Sequence, residues 1–146
     1  MEQSPRQRWL AVLARSSTDD LKAAFVALAP EPDYSLLRPP ETGLVMVRGR
    51  AGGDGARFNL GEMTVSRCAI RLPDGTVGHG YVAGRDQQKA ELVAVFDALL
   101  QDPAGGPGLL ETLIQPLARR LAQRREAEQA RTDATRVDFF TLVRGD

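Results

Sequence analysis

The stretch over residues 41–86 constrains the fold most, because only here do strand patterns, turn residues and closely spaced charges coincide. Three segments carry β-branched or apolar residues at alternate positions, bounded by glycines, as is typical of antiparallel strands: residues 42–50, 62–72 and 76–83. Asp74 and Gly75 separate the last two segments and predict a type I′ hairpin turn, in which both central residues have positive φ. We therefore expect an antiparallel sheet over about residues 42–83.

The sequence before the sheet predicts two helices. Ser4 and Pro5 are typical of a helix start, and Ser17 followed by Asp19 and Asp20 is typical of a second one, because carboxylates are favoured at helix N-termini. The buried faces are expected to comprise Trp9, Leu10, Val12, Leu13, Leu21, Ala24, Phe25 and Leu28.

After the sheet, Asp86 is expected to cap a third helix, with Ala90, Val93, Phe96 and Leu100 on its inward face. Residues 102–108 are too rich in Gly and Pro for helix or strand and predict a flexible linker. A fourth helix should follow from about Leu109, interrupted at Pro116 because proline removes one helical hydrogen bond.

The C-terminal residues divide into a charged helix and an apolar tail. Residues 117–132 are charged over most of the helical circumference, so this helix should protrude and bury little. Exposing the tail would forgo roughly 1.5 to 3 kcal/mol per large side chain. We expect it to dock as a strand-like segment, either on a partner or twin chain or as a further strand of its own sheet. The tail interface residues are Val137, Phe139, Phe140, Leu142, Val143 and Arg144.

These patterns predict one α+β domain over residues 1–146. An antiparallel sheet is flanked by N-terminal and C-terminal helices, with a protruding C-terminal helix and a strand-like tail. The expected segments are N-terminal helices over 1–33, sheet over 34–84, helix over 85–101, linker over 102–108 and helical arm with tail over 109–146.

Composition narrows the class of protein. With 42% hydrophobic residues, 26% charged residues and no net charge, the chain is typical of a folded globular domain. Zero net charge and 5% aromatic residues argue against a nucleic-acid-binding module. A single cysteine, Cys68, rules out an internal disulfide framework and is expected to be a small buried hydrophobe. We expect a cytoplasmic protein without membrane spans, since neither a signal peptide nor a run of about 20 apolar residues is evident.

Arginines recur in or beside the predicted strands, where long cations are not favoured by strand propensity. Alternation places Arg48 and Arg50 on one strand face and Arg67 and Arg71 on another. If the register joins these faces, they would form a cationic surface for a phosphate-rich ligand or an acidic partner. The alternatives are a solvated face and an arginine excess set by genomic base composition. The candidate anion-binding residues are Arg48, Arg50, Arg57, Arg67 and Arg85.

Three further residues are candidates for proton transfer. Glu62 and Asp86 are either acid or base groups or, more simply, partners of arginines. His79 is a general base, a metal ligand or a packed or interfacial histidine; without a second histidine or cysteine at ligand spacing, no metal site is expected. The glycine-rich residues 49–58 lack the Gly-Lys-Ser/Thr ending of a phosphate loop and fit a hairpin tip better.

Four long segments, in order, carry a resemblance to a known family: RQRWLAVLA, LRPPETGLVMVRGRAGGDGARFNLGEMTVSRCAIRL, GYVAGRD and RVDFFTLVRGD. They resemble the PhnG family of small subunits of the bacterial carbon-phosphorus lyase system. The similarity runs over residues 8–145, nearly the whole chain, whereas residues 102–108 match nothing.

The resemblance implies a place in a hetero-oligomeric core with PhnH, PhnI and PhnJ, assisted by the ATPase-like PhnL. The implied reaction displaces adenine from ATP with methylphosphonate and gives alpha-D-ribose 1-methylphosphonate 5-triphosphate. PhnJ then cleaves the carbon-phosphorus bond with a radical iron-sulfur centre. Because the family's nucleosidase chemistry is attributed to PhnI, the resemblance implies a required accessory subunit with no known catalytic residue. ATP would be a substrate of the complex, and we expect no cofactor bound by this chain.

Other classes of function remain open from the residues alone. The chain could be a stand-alone enzyme, or a stand-alone anion- or nucleotide-binding module that oligomerises through its tail. A homodimer of the isolated chain is also compatible with the tail.

Overall fold

The computed structural model describes the backbone of residues 3–50 and 57–144, and side chains within 3–49 and 61–135. Two short helices precede a three-stranded sheet, a central helix and a long C-terminal helix. The elements are α1 (Pro5–Arg15), α2 (Thr18–Val26), β1 (Ser35–Arg50), β2 (Arg57–Arg71), β3 (Val77–Ala83), α3 (Gln87–Leu100), α4 (Gly106–Leu109), a π-helical turn (Leu110–Ile114) and α5 (Gln115–Arg144). The predicted α+β class and antiparallel sheet are confirmed.

The sheet has the order β1-β2-β3, with both pairs antiparallel. The short β3 pairs with β2 only from Val65 to Arg71, whereas β1 follows β2 as far as the pair Arg50 and Arg57. Residues 44–50 and 57–64 therefore form a two-stranded ribbon that projects beyond β3, which we call the β-arm. β1 begins at Ser35, within the predicted sheet segment of residues 34–84 but before the predicted strand of residues 42–50. It passes through Pro39 and Pro40, which an edge strand tolerates because it can leave their missing N–H groups without a partner.

The hairpin predicted at Asp74 and Gly75 is present, but its turn differs from the type I′ expectation. The Gly75 N–H donates to the Leu72 carbonyl at 2.9 Å, so Pro73 and Asp74 occupy the centre of the turn. Within this turn only Gly75 has positive φ, at 96°. Pro73 explains the difference. Its fixed negative φ suits the first central position of a type I or II turn but not that of a type I′ turn, so the positive φ falls on the glycine that follows the two central residues.

One face of the sheet is covered by α3, which approaches β3 closely enough for backbones to touch. A Cβ atom on Gly80 would lie 1.9 Å from the Ala90 carbonyl oxygen, and one on Gly78 would lie 2.0 Å from that of Ala94. The helix is buried over most of its circumference, because α1, α2 and the sheet all pack against it. The predicted inward residues are confirmed as buried: Ala90, Val93, Phe96 and Leu100.

Asp97 of α3 is a fully buried carboxylate that joins three elements. It accepts hydrogen bonds from Arg6 Nε and Nη2 at 3.1 and 2.8 Å, from Trp9 Nε1 at 2.9 Å and from the His79 backbone N–H at 2.9 Å. These bonds tie α1 and the open edge of β3 to the central helix, and the hydrogen bond to Asp97 raises the pKa of Arg6. Sequence reasoning did not identify Asp97.

The predicted helix starts are confirmed by their capping bonds. Ser4 forms a reciprocal capping box with Gln7, and Ser17 Oγ accepts from the Asp20 N–H at 3.1 Å. Asp86 caps α3, accepting from the Lys89 N–H at 3.0 Å, and its other carboxylate oxygen accepts from the Thr18 hydroxyl. Those two bonds, the Thr18 contact above all, hold the pKa of Asp86 below its ordinary value.

The predicted linker over residues 102–108 is wrong in its second half. Residues 102–105 form a turn, and α4 starts at Gly106 with Pro107 in its first turn. Proline is tolerated there because N–H groups in the first turn make no hydrogen bond within the helix. Gly106 is buried, and a Cβ there would lie 2.3 Å from the Leu100 carbonyl oxygen. Its glycine therefore serves close packing rather than flexibility.

The strand-like tail is also wrong, because α5 continues as a helix to Arg144. No Gly or Pro lies between Pro116 and Gly145, so the sequence contains nothing that would end the helix earlier. The interruption expected at Pro116 is present as the π-helical turn immediately before α5. The protruding helix is confirmed, since its residues from Ala122 to Thr135 are all exposed.

The contact between α3 and β3 predicts a large cost for Gly80→Ala. The new methyl group would meet backbone atoms, which cannot rotate away, so we expect a loss of roughly 2 to 3 kcal/mol in the free energy of unfolding. Gly43→Ala is the matched control, because a Cβ there has no neighbour within 4 Å, and it should change stability by less than about 0.5 kcal/mol. Urea unfolding of both variants measures this. Equal midpoints would show that α3 does not rest on β3 as described.

The cap at Asp86 predicts a pH-dependent difference between the wild type and Asp86→Asn. The depressed pKa means that ionised Asp86 stabilises the fold above the unfolded carboxyl pKa of about 3.9 and loses this effect as the pH falls through the folded value. Since Asp86 is exposed, the difference at pH 7 should stay within about 1 kcal/mol. Unfolding at pH 7, 5 and 3 measures it, with Glu62→Gln as the charge-matched control. A difference that does not shrink at pH 3 would contradict this role.

Candidate functional site

The candidate arginines do not form one surface. Arg48 pairs with Asn59 on the β-arm, whereas Arg67 pairs with Glu41 near the base of the sheet. Asn59 and Arg67 are eight residues apart on β2, or roughly 26 Å at 3.3 Å per residue. The strand register therefore keeps Arg48 and Arg67 apart, so they do not form the shared cationic surface that the sequence allowed.

The remaining candidate arginines lie elsewhere. Arg50 and Arg57 pair at the far end of the hairpin, and their side chains are outside the described set, as are residues 51–56 of the glycine-rich segment. Arg85 is exposed in the turn between β3 and α3. Neither position brings a second described cation close to Arg67.

The three proton-transfer candidates also occupy separate places. Glu62 is exposed on the β-arm, opposite Met46. Asp86 is engaged in capping α3, and its lowered pKa keeps it ionised, which does not suit a general acid. The side chain of His79 is exposed on the face of the sheet opposite α3, rather than packed in the core.

That open face carries a concave group of side chains that were not predicted to lie together. Glu41, Arg67 and Tyr81 form one row across the three strands, and Arg38, Ala69 and His79 form the next. Five of these six residues, all except Glu41, line a cavity of about 420 Å³, which we call the outer-face basin. Its lining comprises Leu37, Arg38, Arg67, Cys68, Ala69, His79, Gly80 and Tyr81.

The cations of the basin are only partly neutralised. Arg67 Nε donates to Glu41 Oε1 at 2.6 Å, in a pair whose side chains are both about half exposed, so the pair contributes little to stability. The bond orients the Arg67 guanidinium through its Nε. Among the described residues, the two Nη groups of Arg67 have no hydrogen-bond partner. Arg38 has no ion-pair partner within the described part of the chain.

Cys68 lies beneath the basin with only 3% of its surface exposed, as predicted for a small buried hydrophobe. Burial raises the pKa of its thiol to about 11. A thiol with that pKa is protonated at neutral pH, so it is a poor nucleophile.

The β-arm is the second unusual surface. Leu44 and Met46 are 64% and 54% exposed, and Met63 on the opposite strand is 41% exposed. Val45 and Val47 alternate with Leu44 and Met46, so apolar side chains occur on both faces of the ribbon. An isolated two-stranded hairpin is marginally stable in water, which makes such a surface suited to burial against another protein.

Arg38, Tyr81 and Asp97 are the residues that sequence reasoning missed. Tyr81 had a usable signal, because it alternates with His79 along a predicted strand and must share its face. Arg38 lies before Pro39 and Pro40, and its place depends on a register irregularity between Arg38 and Glu41.

The described part of the chain contains neither a candidate metal centre nor a candidate membrane-spanning helix. Within residues 3–49 and 61–135, whose side chains the structure describes, no three His, Cys, Asp or Glu side chains are grouped closely enough to hold a metal ion. None of the described helices combines the length and apolarity that crossing a membrane requires.

Comparison with known proteins gives two agreeing matches. The family described as phosphonate metabolism protein PhnG matches residues 4–145. A protein of Rhizobium meliloti (strain 1021), named alpha-D-ribose 1-methylphosphonate 5-triphosphate synthase subunit PhnG, is 49% identical over 143 residues, covering 97% of this chain and 90% of the relative. Both matches span almost the entire sequence, including the segments that form the β-arm, α3 and α5, and so the chain belongs to the PhnG family of phosphonate metabolism proteins.

Proposed function

We propose that this chain is an accessory subunit of an alpha-D-ribose 1-methylphosphonate 5-triphosphate synthase, in which methylphosphonate displaces adenine from ATP. The name of the Rhizobium meliloti relative and the family match support membership of such a complex. The proposed partners are PhnH, PhnI and PhnJ, with assistance from PhnL, in the cytoplasm. In this proposal the chain binds no cofactor, is inactive when isolated, and contributes assembly surface rather than catalytic groups.

The β-arm is the observation that carries this proposal. The run Leu44, Val45, Met46 and Val47 is apolar at successive positions, a pattern typical of strands that are covered on both faces. Within this chain, Leu44 and Met46 are more than half exposed. The edge of β1 adds backbone donors and acceptors without a strand beside them in the described sheet, which favours pairing with a neighbouring chain.

The scattered proton-transfer candidates support the accessory role. General acid–base catalysis needs groups within hydrogen-bond reach of one reacting centre. Glu62 lies on the β-arm, Asp86 is occupied as a helix cap and His79 lies on the open sheet face. These positions favour a subunit whose partners supply the reacting groups.

The C-terminal residues are a second proposed contact. The tail side chains from Val137 to Arg144 lie outside the described set, so the prediction that they bind a partner stays a prediction. Since the backbone there is helical, we now propose docking of a helix rather than addition of a strand.

The β-arm proposal predicts that Leu44→Asp combined with Met46→Asp prevents assembly when the chain is co-expressed with PhnH, PhnI and PhnJ. Losing two large apolar contacts at roughly 1.5 to 3 kcal/mol each should weaken association at least about 100-fold. Co-purification on a tagged PhnI followed by size-exclusion chromatography measures the amount of complex.

Val26→Asp provides the matched control, because Val26 is an apolar residue 82% exposed on α2, away from the β-arm. It should assemble like the wild type, and both proteins should show wild-type urea midpoints. If the double variant co-purifies in wild-type amounts, the β-arm is not an assembly surface.

A further inference from the structure

We propose that the outer-face basin binds an organic phosphate or phosphonate, with its phosphorus oxyanion on Arg38 and Arg67 and its organic group on Tyr81 and Leu37. This assigns a ligand site to the chain itself and so goes beyond the assembly role. The site comprises residues of all three strands, on the face of the sheet that α3 does not cover.

A distortion of β1 brings the two cations to the same face. Arg38 and Glu41 are three residues apart, yet they oppose Ala69 and Arg67, which are two apart. In a regular strand, residues three apart point to opposite faces. The extra residue, at Pro39 and Pro40, keeps Arg38 on the outer face beside Arg67, as β-bulges commonly do when they redirect a side chain.

The register also gives the basin dimensions suited to a small ligand. Strands are spaced about 4.8 Å apart and successive rows on one face about 6.6 Å apart. These spacings place four side chains of the lining around Ala69: Arg38, Arg67, His79 and Tyr81. Ala69 contributes only a methyl group to the floor, so the long side chains rise around a hollow. The volume of about 420 Å³ lies within the range of sites for small molecules.

The available hydrogen-bond donors favour a phosphorus oxyanion. A guanidinium can donate two parallel hydrogen bonds to a phosphate, and Glu41 occupies Nε of Arg67 while its Nη groups have no partner among the described residues. Arg38 adds a second cation without a described ion-pair partner. Two arginines against one glutamate leave a net positive basin.

Tyr81 and Leu37 explain why the ligand should carry an organic group. Each is 51% exposed beside the cations, although burying either would be favourable. An aromatic ring can stack on a planar base, and both side chains can pack on an alkyl group. A sheet face that is simply in contact with solvent would account for the exposed arginines but not for the exposed Tyr81 and Leu37 beside them.

The test is calorimetric titration of the full chain with ATP, tripolyphosphate, methylphosphonate and adenosine at 150 mM salt. We expect saturable binding of ATP or methylphosphonate, and the tighter of the two identifies whether a nucleotide or a free phosphonate is the source. Adenosine should bind at least tenfold more weakly than ATP. Absence of saturable binding of ATP, tripolyphosphate and methylphosphonate would overturn the proposal.

Variants separate a defined site from general attraction to positive charge. Arg38→Ala should weaken binding at least tenfold, whereas Arg124→Ala, which removes the same charge from an exposed position of α5, should change it less than twofold. Tyr81→Ala should weaken binding of the organic ligand but not of tripolyphosphate. Equal effects of Arg38→Ala and Arg124→Ala would overturn the site.

Assembly of the co-expressed complex distinguishes this proposal from the subunit role. Arg38→Ala should assemble normally, because the basin holds a ligand rather than a partner. Lost assembly with unchanged anion binding would instead make the basin a protein contact and overturn the proposal. Failure of the titration would leave the β-arm experiment unaffected.

Discussion

The backbone of α3 packs directly against that of β3, and this contact determines how the sheet and α1 are arranged around the central helix. Gly78 and Gly80 let the helix backbone rest directly on the strand, with no room for a side chain between them. At the same place, the Asp97 carboxylate binds the His79 N–H at the open edge of β3, and it also holds Arg6 and Trp9 of α1. A single helix position thereby fixes the sheet edge and the N-terminal helix. Removing this carboxylate would leave the buried Trp9 indole N–H without its partner, which is costly.

This contact also leaves only one face of the sheet covered by helices. Because α3 and the helices around it cover one face of the sheet, the opposite face retains its charged and aromatic residues in solvent. β3 is too short to support the whole hairpin, so the β-arm extends past it, and α5 extends beyond the packed helices. These features are typical of a chain that completes its buried surface within an assembly, as the PhnG family membership leads us to propose.

Much of the fold could be predicted from local sequence. Ser4, Ser17 and Asp86 cap the helices as expected, because capping depends on neighbouring residues only. The conformation of the tail could not be predicted in this way, because its apolar residues suit either a strand or a helix. The tail is helical because it continues the uninterrupted helix that precedes it. Gly106 looked like a flexible linker residue, since its contact with Leu100 is a tertiary feature. Local glycine content does not distinguish mobility from close packing.

The candidate site was less predictable than the fold, because it depends on register. Arg67 and His79 were singled out individually, and Tyr81 could have been found from its alternation with His79. Arg38, in contrast, became apparent only when the strands were aligned. The irregularity at Pro39 and Pro40 determines which face Arg38 occupies, and strict alternation cannot anticipate it. Asp97 was missed for a related reason. A carboxylate in an apolar helix is interpretable only once Arg6 and Trp9 are seen to reach it.

Hydrogen–deuterium exchange of the chain alone and within the co-expressed complex shows whether neighbouring subunits cover the β-arm. We expect amides of residues 44–49 and 61–64 to exchange at least about tenfold more slowly in the complex, while those of α3 are equally protected in both samples. Equal exchange of the β-arm in the two samples, or a β-arm already as protected as α3 in the isolated chain, would contradict the claim that neighbouring subunits complete this fold.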